Sequence, residues 1–468
     1  MAPSKENKMA ETPMGKLVLT MSLPLMISML VQAFYNVVDS LFVSHIPSTV
    51  LIQNAGDKAV QALTLAFPIQ MLMIACNTGT GVGINAVLSR YLGRRDREKA
   101  SFVAGNALFL AACIYLIFML FGLFGTKAFF LTQTSDPVTL DYGISYLRIC
   151  TTCAFGNMGF FAFEKILQAT GNTTLSMAAQ LSGAVTNILL DPVFIFGYFG
   201  LPAMGVAGAA VATVIGQCVS MTVGCIVHYR LNHEVDNGLR YVRPNRKIIG
   251  EIYKVGVPAI AMQSLTSVMA YGMNLILGSV SEIYVTAFGI YYKLQNFIFM
   301  PAYGLNNALV PITGFSYGAR RKDRIAQSLR FGLLDVSVIM AAGILAILLF
   351  APAIVSIFAV SPEIQDICVY ALRIICLGYL FSGANIVLQG FYQALGNGIY
   401  SLIVSLLRMT VVLMPLAWIL AAVLHLPDLV WIAFPIAELA AFLAALVMLK
   451  VIYRKRVRPL EEIRRPIP

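Results

Sequence analysis

The chain has 468 residues, of which 59% are hydrophobic and only 12% charged, with a formal net charge of +11 and a mean hydropathy of +0.79. Soluble domains carry about twice that share of charge, so a water-soluble enzyme or binding module is excluded. Residues 1–13 are polar, and the first apolar stretch, Lys16 to Val43, is too long for a cleavable leader and lacks a small-residue cleavage site.

In chain order, apolar stretches long enough to cross hydrocarbon as helices fall near residues 16–44, 59–87, 101–124, 139–163, 172–198 and 204–229. They continue near 247–280, 284–312, 326–350, 364–392, 398–424 and 428–452. These predict an all-α membrane protein of twelve spans. Basic residues cluster at the N-terminus (Lys5, Lys8, Lys16), after span 2 (Arg90 to Lys99) and after span 6 (Arg230 to Lys254). Further clusters follow span 8 (Arg320 to Arg330) and close the chain (Arg454 to Arg458, Arg464, Arg465). The loops on the other side carry only Lys58 and Lys127. By the positive-inside rule both termini are cytoplasmic, and topology accounts for the net charge. No basic run interleaved with aromatics forms a soluble nucleic-acid face; contact of these clusters with anionic lipid headgroups is expected.

One short phrase occurs twice, 225 residues apart: Leu167-Gln168-Ala169-Thr170-Gly171-Asn172 and Tyr392-Gln393-Ala394-Leu395-Gly396-Asn397. The same offset relates Gln70 to Gln295, Gly93 to Gly318, Pro137 to Pro362, and Leu147-Arg148-Ile149 to Leu372-Arg373-Ile374. Two halves built on one plan are implied, with six spans each, so the repeats are parallel. The expected organisation is an N-terminal lobe over 1–230, a polar cytoplasmic linker over 231–246, and a C-terminal lobe with a basic tail over 247–468. Leu23-Pro24 matches Val257-Pro258 at a longer offset, which an extra-long outer loop from about His45 to Gln61 explains.

The eight cysteines are scattered through the spans, and the Cys150/Cys153 pair reads as two small side chains on one helix face. The four histidines have no metal-ligand spacing, and no catalytic constellation is present, so neither an enzyme nor a cofactor is expected. The informative residues are the acids within spans, because an ionisable group in hydrocarbon costs from about 3 to more than 10 kcal/mol. Asp39 lies inside span 1 and Asp191 in the second part of span 5. Asn187 is four residues before Asp191, one turn away on the same face. Pro192 frees the Ile188 carbonyl one turn back. Two carboxylates, an amide and an open carbonyl suit a proton or a small hard cation. The competing reading makes Asp191 a kink-bonding residue and places Asp39 near the outer interface. In the second half, Asp335 is read as paired locally with Arg330. Glu438, beyond the Pro435 kink, is a candidate for the central cavity. Glu164 and Lys165 are adjacent near the end of span 4, where pairing suffices. A proline inside a helix is a place to bend, which makes Pro24 a hinge candidate above Asp39.

The phrase Asn187-Ile188-Leu189-Leu190-Asp191-Pro192-Val193-Phe194-Ile195-Phe196-Gly197, followed by Gly205-Val206-Ala207-Gly208, resembles the span 5–6 signature of multidrug and toxic compound extrusion (MATE) transporters. Gln168-Ala169-Thr170-Gly171-Asn172, Arg90-Tyr91-Leu92-Gly93 and Val38-Asp39-Ser40 resemble the family too, and the likeness runs from about residue 14 to 452; among subgroups the chain resembles the bacterial drug-exporting kind related to NorM, MepA and DinF proteins. It implies two six-helix lobes in a V around a central cavity, with export driven by sodium or protons. It also implies a cation site at Asp39, Asn187 and Asp191, joined by Thr213, and bending of span 1 at Pro24. The acid that NorM-type members carry in span 7 is replaced here by Thr266, so the coupling chemistry is expected in the N-terminal lobe.

The function expected is antiport of amphiphilic, mostly cationic organic compounds against H+ or Na+ by alternating access, in the bacterial cytoplasmic (inner) membrane, by a monomer. Such compounds need an apolar, adaptable wall with a carboxylate to compensate charge. Wall candidates are Gln32, Phe34, Tyr35, Asn36 and Met71 in the first lobe, and Met262, Gln263, Tyr271, Tyr291, Met300 and Glu438 in the second. The alternative is a flippase for a lipid or lipid-linked substrate, which needs an Arg- and Lys-lined cavity for phosphate; few basic residues lie inside the spans.

Overall fold

The protein is described here from a computed structural model covering residues 7–46, 55–358 and 360–460. Helices dominate, and no strand occurs among the described residues. The N-terminal set is α1 (Met14–Ser44), α2 (Ala55–Gly93), α3 (Arg97–Phe124), an interrupted α4 (Pro137–Thr152 and Phe155–Ala169), α5 (Thr173–Phe196) and α6 (Val206–Leu231). The second set is α7 (Arg246–Gly278), α8 (Glu282–Gly318), α9 (Lys322–Ser356), α10 (Pro362–Ala394), α11 (Gly398–Val423) and α12 (Pro427–Val457). Ten of these are long and apolar enough to cross a membrane. The other two are the interrupted α4 and α8, whose Gln295, Asn296, Asn306 and Asn307 dilute its hydropathy. At 37 residues α8 is about 55 Å long, more than a bilayer core needs.

Interruptions recur at the repeat offset. Helix α4 breaks at Cys153 and Ala154, and α10 tightens into a 3-10 turn at Cys376–Gly378. The expectation of an unbroken span 4, with both cysteines on one helix face, is corrected accordingly: Cys150 is helical and Cys153 ends the first segment. The duplicated Gln-Ala-x-Gly-Asn phrase is a helix stop. In the first copy the Asn172 N–H donates to the Leu167 carbonyl at 2.8 Å and the Gly171 N–H to Gln168 at 3.0 Å; in the second, Asn397 donates to Tyr392 at 2.8 Å and Gly396 to Gln393 at 2.9 Å. Closing that motif requires a left-handed residue, and Gly171 and Gly396 supply it with φ of 87° and 77°.

The two sets meet closely at the end that carries the basic loops. A Cβ on Gly93 of α2 would lie 2.1 Å from the Phe315 carbonyl oxygen of α8, and one on Gly318 of α8 would lie 2.1 Å from the Arg90 carbonyl oxygen of α2. Residues 90 and 315 are themselves one offset apart, so the contact is self-complementary about a pseudo-twofold axis. That explains the duplicated glycines. Beside it the Tyr91 hydroxyl donates to Glu251 of α7 at 2.9 Å. A short N-terminal helix, Lys8–Glu11, straps the two sets together. The Asn7 amide donates to the Thr170 carbonyl at 3.3 Å, while Arg324 of α9 donates to the carbonyls of Met9 (2.8 Å) and Thr12 (2.9 Å). The segment between α6 and α7 is tied to α3 by an Arg97–Asp236 ion pair at 2.9 Å and by Asn106, which bonds Arg243 and Asn245 at 3.2 and 2.9 Å.

Two further expectations change. Helix α2 begins at Ala55, so part of the predicted outer loop is helical; residues 47–54 lie outside the described residues, as do Lys5, Arg464 and Arg465. No ion pair joins Asp335 to Arg330 among the described residues. Five residues apart on a helix, they do not share the face that residues three or four apart share.

Candidate functional site

Helices α1, α5 and α6 bring Asp39, Asn187, Asp191 and Thr213 into one neighbourhood. Asn187 and Asp191 are buried on the inner face of α5, at 3% and 0% exposure. The Asn187 amide nitrogen donates to Asp191 Oδ1 at 3.2 Å and reaches Thr213 Oγ1 at 3.4 Å. Asp39, half-buried on α1, lies close enough to Asp191 and Tyr35 for their charges to interact. Three buried oxygens receive no hydrogen bond: Asp39 Oδ1, Asn187 Oδ1 and Asp191 Oδ2. Buried polar atoms are normally satisfied, and acceptors without donors in low dielectric are costly. A hard oxygen-only set with unused lone pairs fits a proton or a small cation. Burial of Asp191 is possible because Gly183, Gly208 and Gly216 let α5 and α6 approach to backbone contact.

The cavity candidates scatter. Gln32 accepts from the Gln180 amide at 3.1 Å, Tyr35 stands beside Asp39, and Phe34 and Asn36 are exposed on α1. The Phe34 ring meets Phe297 of α8 edge-on at 6.0 Å, across the two sets of helices. Met71, Gln263 and Met300 are half-buried, Met262 accepts from Gln393 at 3.7 Å, and Tyr271 is 69% exposed. Tyr291 is enclosed in the second helix set, its ring 5.4 Å from that of Phe434. Pro24 is buried, and α1 runs through it without a break.

Glu438 has a partner that the sequence did not disclose. Arg408 of α11 donates through Nε and Nη2 to Glu438 Oε1 at 2.9 and 2.6 Å, and the Asn385 amide of α10 donates to Glu438 Oε2 at 2.9 Å. Arg408 sits on a π turn, Leu407–Val411. Such a turn shifts the residues around it relative to a regular helix, so a 3.6-residue period does not forecast where Arg408 points. Thr266, at the place of the NorM-type acid, meets Met409 Sδ at 4.0 Å. Among the described residues no group of three or more His, Cys, Asp or Glu could hold a metal ion. Glu164 and Lys165 pair at 3.6 Å, both buried, and Gln168 bonds each of them at 3.0 Å.

The MatE family model matches residues 24–193 and 258–419, one stretch in each helix set. The chain belongs to the MatE family. This MatE chain is 26% identical over 438 residues to the multidrug export protein MepA of Staphylococcus haemolyticus, covering 94% of both chains. It also resembles the outward-facing conformation of a multidrug resistance MATE transporter of the MOP superfamily, with a TM-score of 0.87, 25% identity and coverage of 98% of this chain and 99% of that one. A MOP-superfamily transporter from Pyrococcus furiosus, whose reversed binding-pocket polarity suggests a different function, matches with a TM-score of 0.88 at 26% identity over 98% and 99%. The MatE chain is thus a multi-pass membrane transporter of two six-helix lobes.

Proposed function

We propose that this transporter exports amphiphilic, mostly cationic organic compounds in exchange for H+ or Na+, with Asp39, Asn187, Asp191 and Thr213 as the coupling site. The observation that carries the reading is that two carboxylates and an amide in one neighbourhood of the N-terminal lobe each keep a buried oxygen without a donor. In this reading a proton on either carboxylate, or a cation among the oxygens, removes the uncompensated charge and changes which packing of α1 against α5 and α6 is favoured. A ligand shifts a two-state equilibrium only by its differential affinity for the states, and coupling to a second ligand is reciprocal. Cation binding therefore lowers drug affinity by the same factor that drug lowers cation affinity. Pro24 is the bend through which α1 responds.

The likeness to MepA supports multidrug export. In this proposal the chain is a monomer of the bacterial cytoplasmic membrane, as its likeness to bacterial MepA suggests, with lobes 1–230 and 247–468 and linker 231–246; the basic residues of its loops support both termini inside. A flippase needs free basic groups for phosphate, and the buried Arg408 is already neutralised by Glu438. The test is uptake of a fluorescent organic cation into vesicles under an imposed proton or sodium gradient, one at a time. Uptake that follows neither gradient overturns the antiport reading.

A further inference from the structure

We infer that a groove on the flank of the C-terminal lobe, between α9 and α12, binds one anionic phospholipid of the leaflet on the basic-loop side. Leu329, Arg330, Leu333, Leu334 and Ser337 line one wall. Their spacing of one, three and four puts them on a single stripe of α9. Tyr453, on the terminal π turn of α12, lines the other. The cavity measures about 420 Å³. Leu329 packs against a buried apolar cluster that includes Ile325, Leu388, Phe391, Ile452 and Val457, so the α9 stripe is anchored to the core of the lobe here.

Two features select its occupant. The first is a polarity gradient along the helices. Away from the basic loops the flanks are exposed hydrocarbon: Val338 is 70% and Leu345 57% exposed on α9, Leu443 55% and Val447 63% on α12. At the other end stand Arg330 and the exposed Arg454, Lys455 and Arg458. The second is a spare charge. Arg330 is exposed and has no ion pair among the described residues, and no acidic side chain lines the groove. Arg330 enters α9 eight residues after Lys322, about 12 Å along the axis, from which a long side chain snorkels to headgroup level. Acyl chains against Leu329, Leu333 and Leu334 with a phosphate at Arg330 satisfy both features; an organic cation satisfies only the first. The inference is independent of the coupling site.

The test uses the full-length protein in neutral detergent, titrated with phosphatidylglycerol or phosphatidylcholine and read by native mass spectrometry as lipid retained per chain. One phosphatidylglycerol is expected to be held in preference to phosphatidylcholine. Arg330→Gln is expected to weaken it about fivefold, the share of one basic residue near an anionic surface. Leu333→Trp fills the groove without changing charge and should displace the same lipid. Arg94→Gln, a basic residue at the same end of the other lobe, should leave it bound. Equal retention of the two lipids, equal losses from Arg94→Gln and Arg330→Gln, or displacement by millimolar inorganic phosphate each overturn the inference; the last assigns the groove to a free anion. If Leu333→Trp does not fold, Arg330→Gln against Arg94→Gln decides alone.

Discussion

The two lobes carry a polar cluster at matching places and finish it in opposite ways. Thr213 on α6 and Glu438 on α12 are one repeat offset of 225 residues apart. Around Thr213 the groups are two carboxylates and an amide, and three oxygens lack donors. Around Glu438 a guanidinium donates twice and an amide once, so the carboxylate is neutralised from within, and the oxygen left without a donor is the neutral Asn385 Oδ1. The carboxylates of one lobe keep oxygens without donors, which the proposed function assigns to an outside cation; the carboxylate of the other is met by a cation built into α11. A second exchange shows how bulk can change sides while the backbone is kept. In the N-terminal lobe Lys165 packs over Gly81, where a Cβ would come within 2.8 Å of its side chain; at the matching positions Asn306 packs over Gly390. Duplication keeps the backbone plan, and the side chains then divide the work.

The largest effect that could break this contrast is on coupling. Asp39→Asn and Asp191→Asn, which mimic the neutral carboxylate but cannot cycle charge, are expected to reduce gradient-driven export to background with expression retained. Wild-type export by both would remove the distinction between the lobes. Next is stability. Arg408→Ala leaves the largely enclosed Glu438 without its cation and with only the Asn385 amide; breaking a buried pair costs about 3–5 kcal/mol, whereas joint replacement by Arg408→Met and Glu438→Leu should recover most of the loss in thermal unfolding. Recovery without loss of ion coupling sharpens the assignment of the C-terminal cluster to structure.

A smaller effect is expected at the prolines. Pro24→Ala should slow export several-fold while cation binding persists, and Pro258→Ala, on a helix with Met273 buried where α1 has Asp39, should matter less. Export rates at equal membrane expression decide it, and equal mild effects remove the hinge. The smallest effect lies at the outer end. Asp136 caps α4 in front of Pro137, and its hydrogen bonds from the Thr139 hydroxyl and backbone N–H, with the Lys58 ammonium beside it, hold its carboxyl down at about 2. At the matching place Ser361 precedes Pro362 without a side-chain cap bond. Because the folded value is depressed, the stability Asp136 adds is full above pH about 4 and is lost as pH falls through 2. Asp136→Ser should therefore lower the melting temperature slightly at neutral pH, and the difference from wild type should vanish towards pH 2.

The parts of this architecture that the sequence disclosed are those tied to local backbone rules. Hydropathy located the spans, and the repeated glycines marked real constraints: a left-handed helix stop at Gly171 and Gly396, and a lobe contact at Gly93 and Gly318 that admits no Cβ. Asn187 and Asp191 were legible because four residues on a helix is one turn. The Arg408–Glu438 bond was not, since its members are 30 residues apart on different helices and a π turn disturbs the period at Arg408. The Asp335–Arg330 pairing was read from nearness in the chain, which a helix does not honour at a spacing of five.

The N-terminal strap has a consequence for how the chain is made. Met9 is synthesised 315 residues ahead of Arg324, whose guanidinium holds its carbonyl. At about 5–20 residues per second, roughly 15–60 s separate the two. Until Arg324 is made, the strap's partners are those of its own lobe, among them the Thr170 carbonyl, which follows Asn7 by 163 residues, and the core around Ile166 and Ala169. The strap is thus fastened only after the second lobe has begun to enter the membrane, and its closure reports that α9 has arrived beside the first lobe.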